Sequence, residues 1–267
     1  MKKDLSIIII NYNTQPLLKR CLESIKKENL KNFELIVIDN GSTDESTTYL
    51  SSLEWPNLKL IKNQKNLGFA KAVNQGIKKS QAEYILLINS DIIVRPKSIE
   101  KMVEFAKKHP EVGVVGGRLL NPDGSMQGSC FHLPTVGRVM KEFWFKDSSV
   151  LSKYVPAGET PVEVEAVVGA VFLIPKKVVD QVGLFDERFF MYFEDLDYCR
   201  RVKQKGFKVY HYPQSEFIHE HGASGVKLSD QTHQWLAESS KIYHGRIKYF
   251  LITWIIRLGQ KFLRPKS

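Results

Sequence analysis

Four large apolar residues in a row, Ile85-Leu86-Leu87-Ile88, run straight into Asn89-Ser90-Asp91. A strand apolar on both faces belongs to a parallel sheet covered by helices, and this one stops abruptly on a carboxylate. In open α/β sheets, ligands bind in the crevice outside the carboxyl ends of the strands. A carboxylate held there can ligate a hard cation, and the cation can hold a diphosphate. As a plainer alternative, Asp91 caps a helix. The next helix is expected to open only near Pro96 or Ser98, too far along for that.

The N-terminal half repeats this design. Residues 5–10 form a strand too apolar for a sheet with one wet face. It ends in Asn11-Tyr12-Asn13-Thr14, and Pro16 opens a helix to about Lys27. Residues 33–38 form a second strand, closed by Asp39-Asn40-Gly41-Ser42-Thr43-Asp44, with a helix beyond it to about Leu53. Residues 58–62 lead through Asn66-Leu67-Gly68-Phe69 into a helix ending near Ser80. Such alternation predicts a parallel sheet with right-handed crossovers, helices on both faces, and all strand ends along one rim. No G-x-G-x-x-G and no P-loop follows the first strand, which disfavours dehydrogenases and P-loop kinases. A nucleotidyltransferase with a first loop carrying glycine and arginine is disfavoured for the same reason.

The second half is less regular. A helix to about His109 precedes a strand over residues 112–118 and a turn at Asn121-Pro122-Asp123-Gly124. Residues 128–158 read as an irregular segment carrying Lys141-Glu142-Phe143-Trp144-Phe145-Lys146, either a lid or binding loop or a patch packed on the sheet. A strand pattern over residues 164–174 contains Gly169-Ala170, small residues that let a ligand or backbone come close. Phe189, Phe190, Tyr192 and Phe193 then precede Glu194-Asp195-Leu196-Asp197 at the start of a helix capped by Gly206. The helix dipole accounts for part of this acid cluster. The aromatic wall would also desolvate one carboxylate, raise its pKa and make it a better base. Two short strands, 208–212 and 215–221, end the domain. His219 and His221 alternate along the second, so only one of them faces the site.

Charge is uneven. Of a net +10, the stretch 241–267 holds seven Lys/Arg and no Asp/Glu. An excess confined to a tail argues against nucleic-acid binding, which needs basic residues spread over one face with aromatics. From Tyr243 a helix is expected with Ile247, Phe250, Leu251, Trp254, Ile255 and Leu258 near one face, although Ile252 and Ile256 spoil a clean split. Lys248 and Arg257 bracket its centre, with Lys261, Arg264 and Lys266 beyond. This fits a helix resting on anionic lipid, or one packed on the domain or on a second subunit. Three cysteines, Cys21, Cys130 and Cys199, are odd in number and lack CxxC spacing. They suggest neither a disulfide framework nor a zinc site and fit a reducing compartment. The N-terminus does not read as a signal peptide, and no stretch approaches the ~20 apolar residues of a spanning helix. A cytoplasmic protein is the expectation.

Taken together and in order, Asn11-Tyr12-Asn13, Asp39 to Asp44, Asn66 to Phe69 with Asn74 and Gly76, Asn89-Ser90-Asp91, Glu194-Asp195-x-Asp197 with Arg201, and His219 ahead of Gly222 and Ser224 resemble the inverting family 2 glycosyltransferases. The likeness covers about residues 5–225. Within the family it is nearest the rhamnosyltransferase-like branch that builds bacterial surface polysaccharides. The resemblance implies an α/β GT-A fold with a single Rossmann-like, mostly parallel sheet flanked by helices. Residues 1–118 would be the nucleotide-sugar half, 119–225 the acceptor and catalytic half, and 226–267 a basic amphipathic helical tail. It implies transfer of a sugar from a nucleoside diphosphate, dTDP-rhamnose first and UDP-hexose next, to a hydroxyl of a glycan or lipid-linked acceptor. The runner-up is a nucleotide-sugar-binding regulatory or scaffold protein without turnover.

The resemblance also implies roles for individual residues. Asn11, Asn13, Asp39, Asn40, Asn66, Gly68, Phe69, Asn74, Asn89, Ser90, Gly169 and Arg201 would line the donor site. Asp91 and His219 would hold Mn²⁺ or Mg²⁺, with His221 competing for the second position. Asp195 would be the general base, supported by Glu194 and Asp197. Asn89 stands where the family's metal motif opens with Asp, which departs from a two-carboxylate site. The inner face of the plasma membrane and a homodimer are further expectations.

Overall fold

The structure, a computed structural model, describes residues 3–28, 30–56, 58–145, 147, 152–220 and 229–263. In chain order the elements begin with β1 (Lys3–Asn11), α1 (Gln15–Lys26), β2 (Phe33–Asp39), α2 (Ser46–Ser52), β3 (Leu58–Lys62), α3 (Phe69–Lys79) and β4 (Ala82–Asn89). Then come β5 (Ile92–Val94), α4 (Ser98–Lys108), β6 (Val112–Leu120), β7 (Met126–Gln127), β8 (Cys130–Phe131) and α5 (Val136–Trp144). The chain continues through β9 (Val162–Val164), β10 (Ala166–Val167), β11 (Val171–Pro175), α6 (Lys176–Val182), α7 (Glu194–Gln204), β12 (Lys208–His219) and α8 (Ser229–Leu263).

The main sheet runs β3-β2-β1-β4-β11-β6-β12-β5. Strands β3, β2, β1 and β4 are parallel, as the alternation predicts. Their apolar residues divide by parity. Ile7, Ile9, Leu35, Val37, Leu86 and Ile88 enter one core cluster, and Ile8, Ile36, Ile38, Ile85 and Leu87 enter the other. Both faces are therefore dry, which is why these strands carry no polar alternation. Leu18, Leu22 and Ile25 of α1 and Met102 of α4 cover the first face. Val73 and Ile77 of α3, with Tyr198 and Val202 of α7, cover the second.

The C-terminal half corrects the sequence reading in five places. First, the sheet, mostly parallel in its first half as expected, takes in antiparallel strands that no local signal announces: β11 is antiparallel to both β4 and β6, and β5 is antiparallel to β12. Second, residues 164–174 are not one strand. Gly169 and Ala170 sit in a turn between β10 and β11, and an apolar run cannot by itself reveal such a break. Third, the two strands read at 208–212 and 215–221 are one, β12, whose register shifts between Tyr212 and Glu216. Pro213 lies inside that shift, since it has no N–H to give the ladder.

Fourth, α5 lies inside the stretch read as irregular, its first turn held by Arg138 N–H donating to Thr135 Oγ1 at 3.3 Å. Fifth, α8 begins at Ser229 rather than Tyr243 and turns sharply at Gly245 (φ 72°, ψ 161°). Its first half packs on the domain. Trp235 lies over Phe190 with ring centroids 4.8 Å apart, Ser239 Oγ donates to Met191 O at 2.7 Å, and the Arg200 guanidinium stacks on Tyr243 at 4.1 Å. His221, Gly222 and Ser224 lie outside the described residues.

Gly68 joins the two halves. Its backbone (φ 84°, ψ 166°) is one that essentially only glycine adopts, and a Cβ there would stand 2.7 Å from Phe190 O. That carbonyl accepts from Phe69 N–H at 2.7 Å. Gly68→Ala is expected to cost about 2 kcal/mol or more of unfolding free energy by chemical denaturation. Unchanged stability would show that this close approach is not required.

Candidate active site

Register alone gathers the first of the expected donor-site residues. Asn11 pairs with Asp39 and Ile10 with Asn89, so the ends of β2, β1 and β4 lie side by side. A chain of side-chain hydrogen bonds ties them together. Ser90 Oγ meets Thr14 Oγ1 at 2.8 Å, Thr14 Oγ1 donates to Asn11 Oδ1 at 2.8 Å, and Asn11 Nδ2 donates to Asp39 Oδ1 at 3.0 Å. Asp39 also accepts from Ser42 Oγ at 2.5 Å and Thr47 Oγ1 at 2.8 Å. The exposed Asn13 accepts at Oδ1 from Thr43 N–H at 2.7 Å. Asn40 ties this loop to the next one, donating to Asn66 Oδ1 at 2.9 Å and accepting from Leu67 N–H at 3.1 Å. Asn66 in turn accepts from Gly68 N–H at 2.9 Å. The result is a rigid rim with its polar groups largely satisfied.

Asp91 stands at the turn from β4 to β5. It is buried, and its Oδ1 has no hydrogen-bond partner. His219 Nε2 lies 3.5 Å from that oxygen. The ring's orientation follows from the surrounding network. Gln127 donates through Nε2 to His219 O at 3.3 Å and to Asn121 Oδ1 at 2.8 Å, which leaves its Oε1 as an acceptor. His219 Nδ1 is 2.6 Å from that Oε1 and donates to it, which turns Nε2 toward Asp91. A carboxylate oxygen beside an imidazole nitrogen is a donor set that Mn²⁺ takes well and Mg²⁺ acceptably. The set holds two residues, and no cluster of three His/Cys/Asp/Glu occurs among the described residues. The remaining positions would fall to phosphate and water. Glu220 N–H donates to Asp91 O at 3.0 Å, and Arg20 clamps the Glu220 carboxylate through two contacts of 2.6 and 2.5 Å, which fixes the end of β12.

The second carboxylate cluster approaches through Gly169. Gly169 N–H donates to Asp195 Oδ2 at 3.0 Å, and Leu196 N–H donates to Asp195 Oδ1 at 2.8 Å. The adjacent residue, Ala170, accepts from Asn89 N–H at 3.0 Å. Asp195 is thus joined by backbone to the strand end that carries Asp91. Burial first, then Asp195's charge, pushes Glu194 up to about 8, and its buried Oε2 has no hydrogen-bond partner. Burial also raises Asp195, but its two backbone donors and the Lys153 ammonium oppose this. Burial thus raises the proton affinity of both acids, and Asp195 is the partly exposed member of the pair. Tyr192 and Phe193 just ahead both have positive φ (71° and 66°), conformations that cost energy and turn the chain so that α7 opens on these acids.

Other expected site residues serve the scaffold. Asn74 donates to Phe185 O at 2.8 Å and accepts from Phe185 N–H at 3.0 Å, bracing the loop before the aromatic wall. Asp197 pairs with Arg200 at 2.6 Å and Arg201 at 2.7 Å, and Arg201 also donates to Val182 O. Arg201 is thereby turned toward α6. Two residues beside the expected site residues escaped the sequence reading. Gln127 orients His219, and no sequence signal marks it. Lys153 lies in the long segment suspected as a binding loop, placed by pairing of Tyr154 with Cys130. A cavity of about 460 Å³ lined by Arg95, Arg118, Glu216 and Ile218 is separate. Strand alternation puts Ile218 and the His219 imidazole on opposite faces of β12.

Comparison with known proteins settles the family. The model of glycosyl transferase family 2 matches residues 6–146, and that of glycosyl transferase family group 2 matches residues 84–262. The chain belongs to glycosyltransferase family 2. It is similar to the N-acetylglucosaminyl-diphospho-decaprenol L-rhamnosyltransferase of Mycobacterium tuberculosis, 28% identical over 234 residues, 80% of this chain and 75% of that protein. It is also similar to the O-antigen biosynthesis protein RfbC of Myxococcus xanthus, 28% identical over 81% of this chain but only 17% of the relative. Among solved structures, a mannosyltransferase from Pyrobaculum calidifontis in complex with GDP-Man and Mn²⁺ aligns over 98% of this chain and 74% of its own, with a TM-score of 0.65 at 17% identity. S. aureus TarS aligns with a TM-score of 0.62 at 15% identity over 98% of this chain and 73% of its own. The fold is GT-A. This family 2 enzyme is rhamnosyltransferase-like and transfers a hexose in cell-surface glycan synthesis.

The Glu194 proton sets an expected pH dependence. Activity should rise as Asp195 ionises, above the ordinary carboxylate range, and fall as Glu194 ionises near pH 8. Glu194→Gln should abolish the alkaline fall and leave the acid limb in place. Because Glu194 binds a proton more tightly when folded (about 8 against 4.5), its contribution to stability is present below pH 4.5 and lost on passing through pH 8. Melting curves of Glu194→Gln should therefore be flatter across that window. A profile identical to the parent's would remove the assignment.

Proposed function

We propose that the chain is an inverting, divalent-cation-dependent transferase moving rhamnose from dTDP-rhamnose to a hydroxyl of a lipid-linked saccharide, with UDP-hexoses as the next donor class. The observation that supports this reading is the backbone path from Asp195 through Gly169-Ala170 to Asn89 and Asp91, which favours Asp195 as a base and Asp91 with His219 as a cation-binding pair on one rim. The donor and acceptor classes draw support from the mycobacterial relative, named as an L-rhamnosyltransferase of a diphospho-decaprenol saccharide. Its place is the cytoplasmic side, beside such an acceptor. No helix among the described residues is long and apolar enough to cross a membrane.

In an inverting displacement, the acceptor oxygen bonds to the anomeric carbon as the bond to the diphosphate oxygen breaks. The electron pair leaves with the nucleoside diphosphate, and the hydroxyl proton goes to Asp195. Gly169 and Leu196 N–H groups hold both Asp195 oxygens in place, and the Lys153 ammonium favours the ionised form against the effect of burial. Glu194, still protonated, adds no second negative charge beside it. Asp91 and His219 would hold a divalent cation, which supplies Lewis-acid neutralisation of the departing diphosphate. Gln127 and the Arg20–Glu220 clamp keep that imidazole oriented, as outer-shell partners of metal ligands do.

Asp195→Asn is expected to lower turnover by about 10²–10⁴-fold, with donor affinity by calorimetry within a few-fold of the parent. Loss of donor binding together with activity would overturn the base assignment. Asp91→Ala should instead weaken Mn²⁺-dependent donor binding. Unaltered metal dependence in that variant would sink the ligand role.

A further inference from the structure

Beyond its kink at Gly245, α8 is apolar on two faces. Ile252 and Gly259 are buried, and a Cβ at Gly259 would meet Phe143 of α5. This explains why Ile252 and Ile256 spoil a simple amphipathic pattern: part of the helix's apolar surface is used against α5. The other face stays open. Ile247 is 80% exposed, Phe250 71%, Leu251 46% and Trp254 57%, at the i, i+3, i+4, i+7 spacing of a single stripe. Met140 and Trp144 of α5, and Phe145 just past its end, are exposed as well. Trp144 Nε1 donates to Ile255 O at 3.3 Å, which lays the two stripes side by side. A contiguous apolar surface of this kind on a folded domain marks an interaction site.

We infer that α5 and the second half of α8 form a composite surface that docks on a bilayer bearing anionic headgroups. Charge selects this occupant. Lys141, Arg246, Lys248 and Arg257 are all exposed on these two helical segments, and residues 241–267 include no Asp or Glu. A second copy seated on the same stripe would bring its own Arg246, Lys248 and Arg257 against these cations, whereas anionic headgroups neutralise them. Trp144 and Trp254 suit the depth at which an indole is half in hydrocarbon and half in water. The first half of α8 packs on the loop before Glu194 and Asp195, through Trp235 on Phe190 and Ser239 on Met191. Docking would therefore hold the catalytic cleft close to the membrane surface.

The test is co-sedimentation of the full chain with vesicles of phosphatidylcholine alone and of phosphatidylcholine mixed with phosphatidylglycerol. Binding to the anionic vesicles should be about tenfold stronger or more, and should weaken as salt is raised. The double variant Phe250→Glu/Trp254→Glu and the triple variant Arg246→Gln/Lys248→Gln/Arg257→Gln should each lose about tenfold or more of that binding. Their circular dichroism and their hydrolysis of a soluble donor should match the parent's. Failure of the parent to sediment with anionic vesicles, or variants that sediment as it does, would overturn the proposal. A dimer in light scattering that Phe250→Glu/Trp254→Glu dissolves, with no vesicle binding by the parent, would assign the surface to a second copy.

Discussion

The site depends on β11 entering the sheet antiparallel between β4 and β6. That insertion places the turn at Gly169-Ala170 against Asn89, so the carbonyl of Ala170 takes the Asn89 N–H while Gly169 N–H faces Asp195. Without it, the carboxylate after β4 and the carboxylates of α7 would belong to separate parts of the molecule. A Cβ at Gly169 would lie 3.4 Å from Asp195 Cβ, close but tolerable, so backbone N–H rather than packing alone fixes the acid. A hydrogen bond from main chain costs little mobility when its donor is anchored in a sheet, which suits a group that must keep one geometry through turnover.

Around this junction, strain and burial are concentrated rather than spread. Tyr192 and Phe193 hold left-handed backbone, Glu194 is buried without a hydrogen bond at Oε2, and Asp91 Oδ1 is buried without one. Each of these lowers stability, and each lies next to the proposed chemistry, as expected where function is favoured over the fold. The dry two-sided core of β1, β2 and β4 offsets them, with fully buried isoleucines contributing roughly 1.5–3 kcal/mol each. Polar groups of the rim at the ends of β1, β2 and β4, by contrast, are nearly all paired with one another, so Asp39 and Asn40 shape the loops.

The parallel half was legible in the sequence because its signal is local. Uninterrupted apolar runs ending in Asn or Asp give strand, burial and rim together, and the acids opening α7 announce their own helix. The antiparallel half was not, since a turn inside an apolar stretch (Gly169-Ala170) and a strand that passes Pro213 through a bulge are decided by long-range pairing. Roles blurred for the same reason. Asp197 and Arg201 stand in motif positions yet pair with each other, while Gln127 and Lys153 reach the site only because β7 and the 152–154 segment fold back to it. The apolar positions of α8 were seen, but only the packing of Gly259 on Phe143 shows which face is spoken for.

The central claim is that one cleft has a cation-binding pair at one side and an ionised acid at the other. A crystal of the enzyme grown with Mn²⁺ and a nucleoside diphosphate, with data collected at the manganese edge, tests it directly. The account requires an anomalous peak bonded to Asp91 Oδ1 and His219 Nε2, with the diphosphate on it and its terminal phosphate facing Asp195. A peak bound elsewhere, or a diphosphate turned away from Asp195, would contradict it.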